Sequence, residues 1–258
     1  MAKIVLAHGI LGFGSVLPTD PLQYFNGIKR LYEEEHYLVL CPTVAALGSI
    51  AARSQQLQAA IQAEWGNSDD PIFLLAHSMG GLDCRHMLLN NSAIARRVRR
   101  LITVATPHYG SPVADAVLHP LFPLLPNPLQ GLTSLFSDDA GALADLHTRE
   151  TLQADDIPTV EYLCVGCDLA DTHPKSPVFA LTATIGEFNS GANDGVVSLA
   201  SASKNKHPAS LFETWPVDHG GAIGWPSGGI GTEAGQALLS PPADHIARYK
   251  KLLATLIR

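Results

Sequence analysis

Residues 72–90 constrain this chain more than any other stretch. Ile72-Phe73-Leu74-Leu75-Ala76 is an apolar run of strand length, His77-Ser78-Met79-Gly80-Gly81 breaks it, and a helical pattern follows at once. A turn that carries a strand directly into a helix holds its central residue in a strained conformation, with the side chain raised above the sheet. The residues two before and two after must then be small, as Ala76 and Gly80 are. Ser78 is the central residue. Its hydroxyl stands at the start of a helix spanning about 79–90, where N–H groups and the positive dipole end favour a developing oxyanion. An ordinary tight turn containing a serine needs none of these neighbours.

The same alternation recurs along the chain and gives an α/β fold, with a mostly parallel sheet of about six to seven strands flanked by helices. Strands are expected at 3–7, 37–41, 71–76, 101–105, 160–165, 180–185 and 211–217. Helices are expected over 21–34, with Asp20 as cap, Pro21 at the first helical position and an apolar stripe through Leu22, Phe25, Ile28, Leu31 and Tyr32, and over 49–65, capped by Ser49. Residues 111–158 break the pattern with a Pro-rich apolar run and a helical stretch around 138–151, and read as an insertion on the sheet. No repeat or flexible linker marks a second unit, so 1–258 is expected to be a single domain.

Composition excludes several function classes. A formal charge of −7 argues against nucleic acid, whose binding relies on Lys and Arg neutralising phosphates. The basic cluster Arg96, Arg97, Arg99 and Arg100 reads as a helix C-terminus and its solvated exit. The longest apolar stretch, 116–125, is broken by prolines and too short to span a bilayer, so no transmembrane segment is expected. No signal peptide precedes the first strand, which suits a cytoplasmic protein or a mature or leaderless secreted form. Cys164 and Cys167 have CxxC spacing, but matching ligands are missing, and they read as buried thiols at a strand end.

A serine hydroxyl needs a base, and the base needs a carboxylate that fixes its tautomer. Of eleven histidines, His219 lies late in the chain, directly after the last strand, in Val217-Asp218-His219-Gly220-Gly221. It is the expected base, because this serine turn is used in the order Ser, acid, His. His77 reads as the variable residue of the turn, His86 as a helix residue, and His207 and His245 as solvated. For the acid, Asp194 in Asn193-Asp194-Gly195-Val196-Val197 is the choice, with Asp168 as runner-up, while Asp218 should point away if His219 points in. His8-Gly9-Ile10-Leu11-Gly12-Phe13-Gly14 supplies a loop whose Ile10 N–H, with that of Met79, forms the expected oxyanion hole. Phosphate-binding spacings are missing from it, and no cofactor is expected.

Taken together, His8-Gly9-Ile10-Leu11-Gly12-Phe13, Arg53-Ser54-Gln55-Gln56-Leu57, Ala76-His77-Ser78-Met79-Gly80-Gly81, Thr106-Pro107-His108-Tyr109-Gly110-Ser111 and Asn193-Asp194-Gly195-Val196-Val197 resemble the bacterial lipases of the α/β-hydrolase superfamily. The resemblance implies an α/β-hydrolase fold, Ser78, Asp194 and His219 as triad, Ile10 and Met79 as oxyanion donors, and a mobile lid between the fifth and sixth strands. Many relatives hold a structural calcium through an aspartate two residues after the histidine. Gly221 stands there, so no metal is expected at that place. Hydrolysis of acylglycerol esters is the leading expectation, with a short-chain carboxylesterase or an acyltransferase next, and a non-catalytic binding protein on the same fold more remote. The insertion 111–158 either packs on the sheet as extra core or forms an amphipathic lid, with Leu121, Phe122 and Leu125 meeting a lipid–water interface.

Overall fold

The computed structural model describes residues 2–10, 24–118, 141–147, 156–169, 191–205, 210–225 and 245–258. The strands are β1 (Lys3–Ala7), β2 (Leu38–Leu40), β3 (Ile72–His77), β4 (Val98–Val104), β5 (Glu161–Cys167) and β6 (Glu213–Trp215). All adjacent pairs are parallel, in the order β2-β1-β3-β4-β5-β6. The expected strand at 180–185 lies outside the described residues.

Every residue of β1 and β3 is buried, as a parallel strand covered on both faces requires. Side chains alternate between the faces. Ile4, Leu6, Phe73, Leu75, Ile102 and Val104 pack with α1 (Ile28–Glu34) and α7 (His245–Leu256), where the Tyr32 hydroxyl donates to Tyr249 O at 3.0 Å. Val5, Ile72, Leu74, Ala76 and Leu101 face α2 (Ile50–Trp65) and α3 (Gly80–Asn90), through Leu57, Ile61, Met87 and Leu88. Burial of each such side chain is worth about 1.5–3 kcal/mol.

Ser49 caps α2 as expected, accepting the Ala52 N–H at 3.2 Å. The helix expected over 21–34 is interrupted at 25–27. Gly27 takes φ 73°, a left-handed conformation that no helix interior admits, and α1 starts only at Ile28. Asp20, Pro21 and Leu22 lie outside the described residues, but Phe25, Ile28 and Tyr32 are core. The arginine cluster also differs from expectation. The short helix α4 (Ser92–Ala95) ends before it, and Arg99 and Arg100 open β4, where Arg100 pairs with Glu161 on β5. A strand end that overshoots the buried zone lets a guanidinium reach water, so the basic run does not end the strand.

Segment 111–158 joins β4 to β5, one crossover earlier than a lid between the fifth and sixth strands. Its described parts are α5 (Pro112–Leu118), with proline in the first turn, and α6 (Gly141–Asp145). Asp145 accepts the Ile50 N–H at 2.7 Å and Ala142 N–H donates to Leu47 O at 3.1 Å, so α6 is fastened to the start of α2. Leu121, Phe122 and Leu125 lie outside the described residues. Among the described residues no helix is long and apolar enough to cross a membrane.

Candidate active site

Chain order reverses around β1, which runs to β2 on one side and has β3 on the other. In open parallel sheets such a switch point leaves a crevice beyond the carboxyl ends of the strands. His8-Gly9-Ile10 leaves β1 there, and Ser78 leaves β3.

Ser78 has φ 56°, a region costly for any residue with a Cβ. Neighbouring bonds hold it: its N–H donates to Val104 O at 2.9 Å, and its carbonyl accepts the Thr106 hydroxyl at 2.8 Å. Backbone crowding fixes the small residues. A Cβ on Gly9 would lie 2.5 Å from Ser78 Cβ, and one on Gly80 would strike the Ala7 carbonyl. The helix after the serine therefore packs directly against the end of β1.

The loop after β6 brings His219 to this point. Its Nε2 lies 2.9 Å from Ser78 Oγ and its Nδ1 2.7 Å from Asp194 Oδ2. Asp194 is fully buried, and its Oδ1 accepts the N–H groups of Val196 (2.9 Å) and Val197 (2.7 Å). Gly195 makes that tight turn possible with φ 95°. The runner-up Asp168 follows β5, where its N–H donates to Trp215 O at 2.9 Å. Asp218 accepts the Gly221 N–H at 2.7 Å. Among the described residues neither the Ile10 nor the Met79 N–H is engaged by an acceptor.

Groups to which the sequence assigned no role hold the glycine loop. The Val44 N–H donates to His8 Nε2 at 3.2 Å, so His8 carries its proton on Nδ1 and donates to Gly9 O at 2.9 Å. Because a trans peptide sets N–H opposite C=O, pinning Gly9 O also aims the Ile10 N–H. Arg53, wholly buried, donates to His8 O and Ala45 O, each at 2.7 Å, and to Asp83 Oδ2 at 2.9 Å. In the sequence Arg53 stood only as the first residue of the Arg53-Ser54-Gln55-Gln56-Leu57 motif, with no role attached.

Buried histidines make the fold acid-sensitive. Burial, aided by the Arg53 charge, lowers His8 to about 4, and burial holds His77 and His108 well below the usual histidine range. Below about pH 6.5 the unfolded chain therefore binds protons that the folded chain refuses, and stability falls with pH. His8 alone accounts for about 2 kcal/mol by pH 5. Asp83, pushed up to about 6 by burial against the pull of Arg53, works in the opposite direction. It takes up a proton in the folded state first and offsets about 1 kcal/mol at pH 5. The urea midpoint should drop between pH 7 and pH 5, and a constant or rising midpoint would contradict these assignments.

The PGAP1-like alpha/beta domain family matches residues 42–139. Triacylglycerol lipase 2 of Saccharomyces cerevisiae is 30% identical over 213 residues, covering 79% of this chain and 63% of the yeast protein. A Vibrio cholerae triacylglycerol lipase is 30% identical over 115 residues, covering 44% of this chain and 35% of its own. Among solved structures, Staphylococcus hyicus lipase superposes with a TM-score of 0.65 at 16% identity, covering 99% of this chain and 95% of that one. The chain has the α/β-hydrolase fold of lipase structures. A metagenomic carboxyl esterase has the same fold (TM-score 0.64, 18% identity, 97% of this chain and 76% of that one). The likeness to a yeast protein shows that the relationship reaches beyond bacteria, and the chain spans under two thirds of the length of that relative.

Proposed function

We propose that the chain is a serine carboxylic-ester hydrolase acting on acylglycerol-type lipids. The reading rests on the continuous line of contacts from Asp194 through His219 to Ser78. Ser78 attacks the ester carbonyl while His219 Nε2 takes the hydroxyl proton. Asp194 holds the Nδ1 proton and stabilises the imidazolium, and the Ile10 and Met79 N–H groups receive the oxyanion. His219 then protonates the departing alcohol, and a water activated by the same base releases the acid from Ser78.

Apolar surroundings favour an acyl chain as substrate. Ile10, Ile50, Met79, Leu82, Leu143 and Leu146 form one cluster that joins both oxyanion donors to α2 and α6. Each CH₂ that an acyl chain buries against apolar side chains contributes about 0.8 kcal/mol. In this proposal the segment carrying Leu121, Phe122 and Leu125 is the lid, and 1–258 works as one domain around it. The second reading is a carboxylesterase for short soluble esters, favoured by the carboxyl esterase of the same fold.

A rate profile over ester chain length separates the two. The lipase reading expects a preference for acyl chains of roughly eight carbons or more, and a rise in rate when substrate passes from monomers to droplets, because burial free energy grows with each CH₂. Replacing Leu121, Phe122 and Leu125 by Ser should reduce that rise and spare a small soluble ester. A preference for acetyl and butyryl esters with no change at the solubility limit assigns the carboxylesterase function instead.

A further inference from the structure

The residue before Ser78 takes part in an arrangement that the reaction scheme does not use. His77 ends β3 on the same face as Phe73 and Leu75, and is buried there beside Tyr24. Its Nδ1 lies 2.7 Å from the Tyr24 hydroxyl and its Nε2 3.1 Å from the backbone carbonyl of His219. The Gly9 N–H donates to the same Tyr24 hydroxyl at 3.0 Å.

Donor bookkeeping fixes every proton in this chain. The His219 carbonyl can only accept, so a neutral His77 carries its single ring proton on Nε2 and its bare Nδ1 accepts the Tyr24 hydroxyl hydrogen, while the Tyr24 oxygen accepts the Gly9 N–H. The His219 N–H meanwhile donates to Asp194 O at 2.9 Å, so both backbone groups of residue 219 are pinned. The two imidazoles also pack together, centroids 4.7 Å apart, in opposite tautomers. Tyr24 is itself anchored, its carbonyl accepting the Trp225 indole N–H at 3.0 Å. Burial keeps His77 neutral, so the ring beside His219 adds no positive charge when His219 becomes imidazolium.

We propose that Tyr24 and His77 are positioning residues, a directional hydrogen-bond relay that locks the glycine loop after β1 to the backbone of the base. This rests on His219 being the base of the proposed reaction. The relay commits the Gly9 N–H to Tyr24 and leaves Ile10 as the oxyanion donor of that loop. Through His77 it fixes the backbone from which the His219 ring swings. A base displaced by a fraction of an ångström costs turnover more than binding, so the effect belongs in kcat.

The test uses the full chain with a soluble ester and a fluorophosphonate probe. Tyr24→Phe removes one oxygen and is expected to lower kcat roughly five- to tenfold, the worth of one hydrogen bond, with KM unchanged within about twofold. His77→Phe removes both links and should cost more. His77→Gln, which retains an N–H donor and an acceptor oxygen, should recover part of the loss. The double variant Tyr24→Phe with His77→Phe should be no slower than His77→Phe alone, since one relay is broken only once. Nitrogen-15 imidazole spectra of the folded protein should show His77 neutral with its proton on Nε2. Wild-type kcat in Tyr24→Phe and His77→Phe, independent multiplying losses in the double variant, or an Nδ1-protonated His77 would each overturn the relay. Failure of the underlying reaction reads differently, because the wild type itself would then not take the probe on Ser78.

Discussion

Replacing Ser78 by Ala is expected to lower ester turnover at least about a thousandfold while leaving the protein folded, since removing a member of such a triad leaves only what binding and the oxyanion hole supply. The substitution deletes one oxygen that contacts His219 Nε2 at 2.9 Å. It adds no bulk at a residue whose Cβ already faces Gly9 and whose φ is 56°. The backbone bonds to Val104 O and from Thr106 remain. The thermal midpoint should therefore move little. Turnover above about a thousandth of wild type would remove Ser78 from the chemistry.

Asp194→Asn should be nearly as severe, for a reason the local hydrogen bonds supply. Asp194 Oδ1 accepts two backbone N–H groups, so the amide of an asparagine would keep its oxygen there and turn its NH₂ toward His219. His219 Nδ1 would then have to accept, which places the ring proton on Nε2, facing Ser78 Oγ. The imidazole could no longer take the hydroxyl proton. In serine proteases the same tautomer error costs about 10⁴ in kcat, and a loss on the order of 10³–10⁴ is expected here. Asp168→Asn is the control and should stay close to wild type. Were Asp168→Asn the slower of the two, the acid would be misassigned.

What the sequence disclosed and what it concealed follow from the range of the interactions. The serine turn was legible because its demands are local: an apolar strand, small residues at 76 and 80, and a helix that begins at once. Both faces of the sheet were legible because β1 and β3 are apolar at every position except Lys3 and His77 at their ends. The break at Gly27 was not, since Phe25, Ile28 and Tyr32 keep helical spacing across it and only tertiary packing selects the left-handed turn. Only the start of β4 was hidden, for a similar reason: the strand expected at 101–105 begins at Val98, and its charged residues Arg99 and Arg100 read as the exit from a helix. The roles of Tyr24, His77 and Arg53 were concealed most completely. Their partners Gly9, His219 and His8 lie 15, 142 and 45 residues away in the chain, and no local pattern marks a hydrogen bond of that reach. His77 looked like the replaceable residue of its turn because nothing in the neighbouring residues points to residue 219.

The central claim is that Ser78 is a nucleophile activated by His219. The most direct measurement is covalent labelling with a fluorophosphonate at neutral pH, followed by mass spectrometry of the modified peptide. The account predicts stoichiometric phosphonylation on Ser78, absent in Ser78→Ala and greatly slowed in His219→Ala. No adduct on the folded wild-type protein, or an adduct on a different side chain that persists in Ser78→Ala, would contradict it.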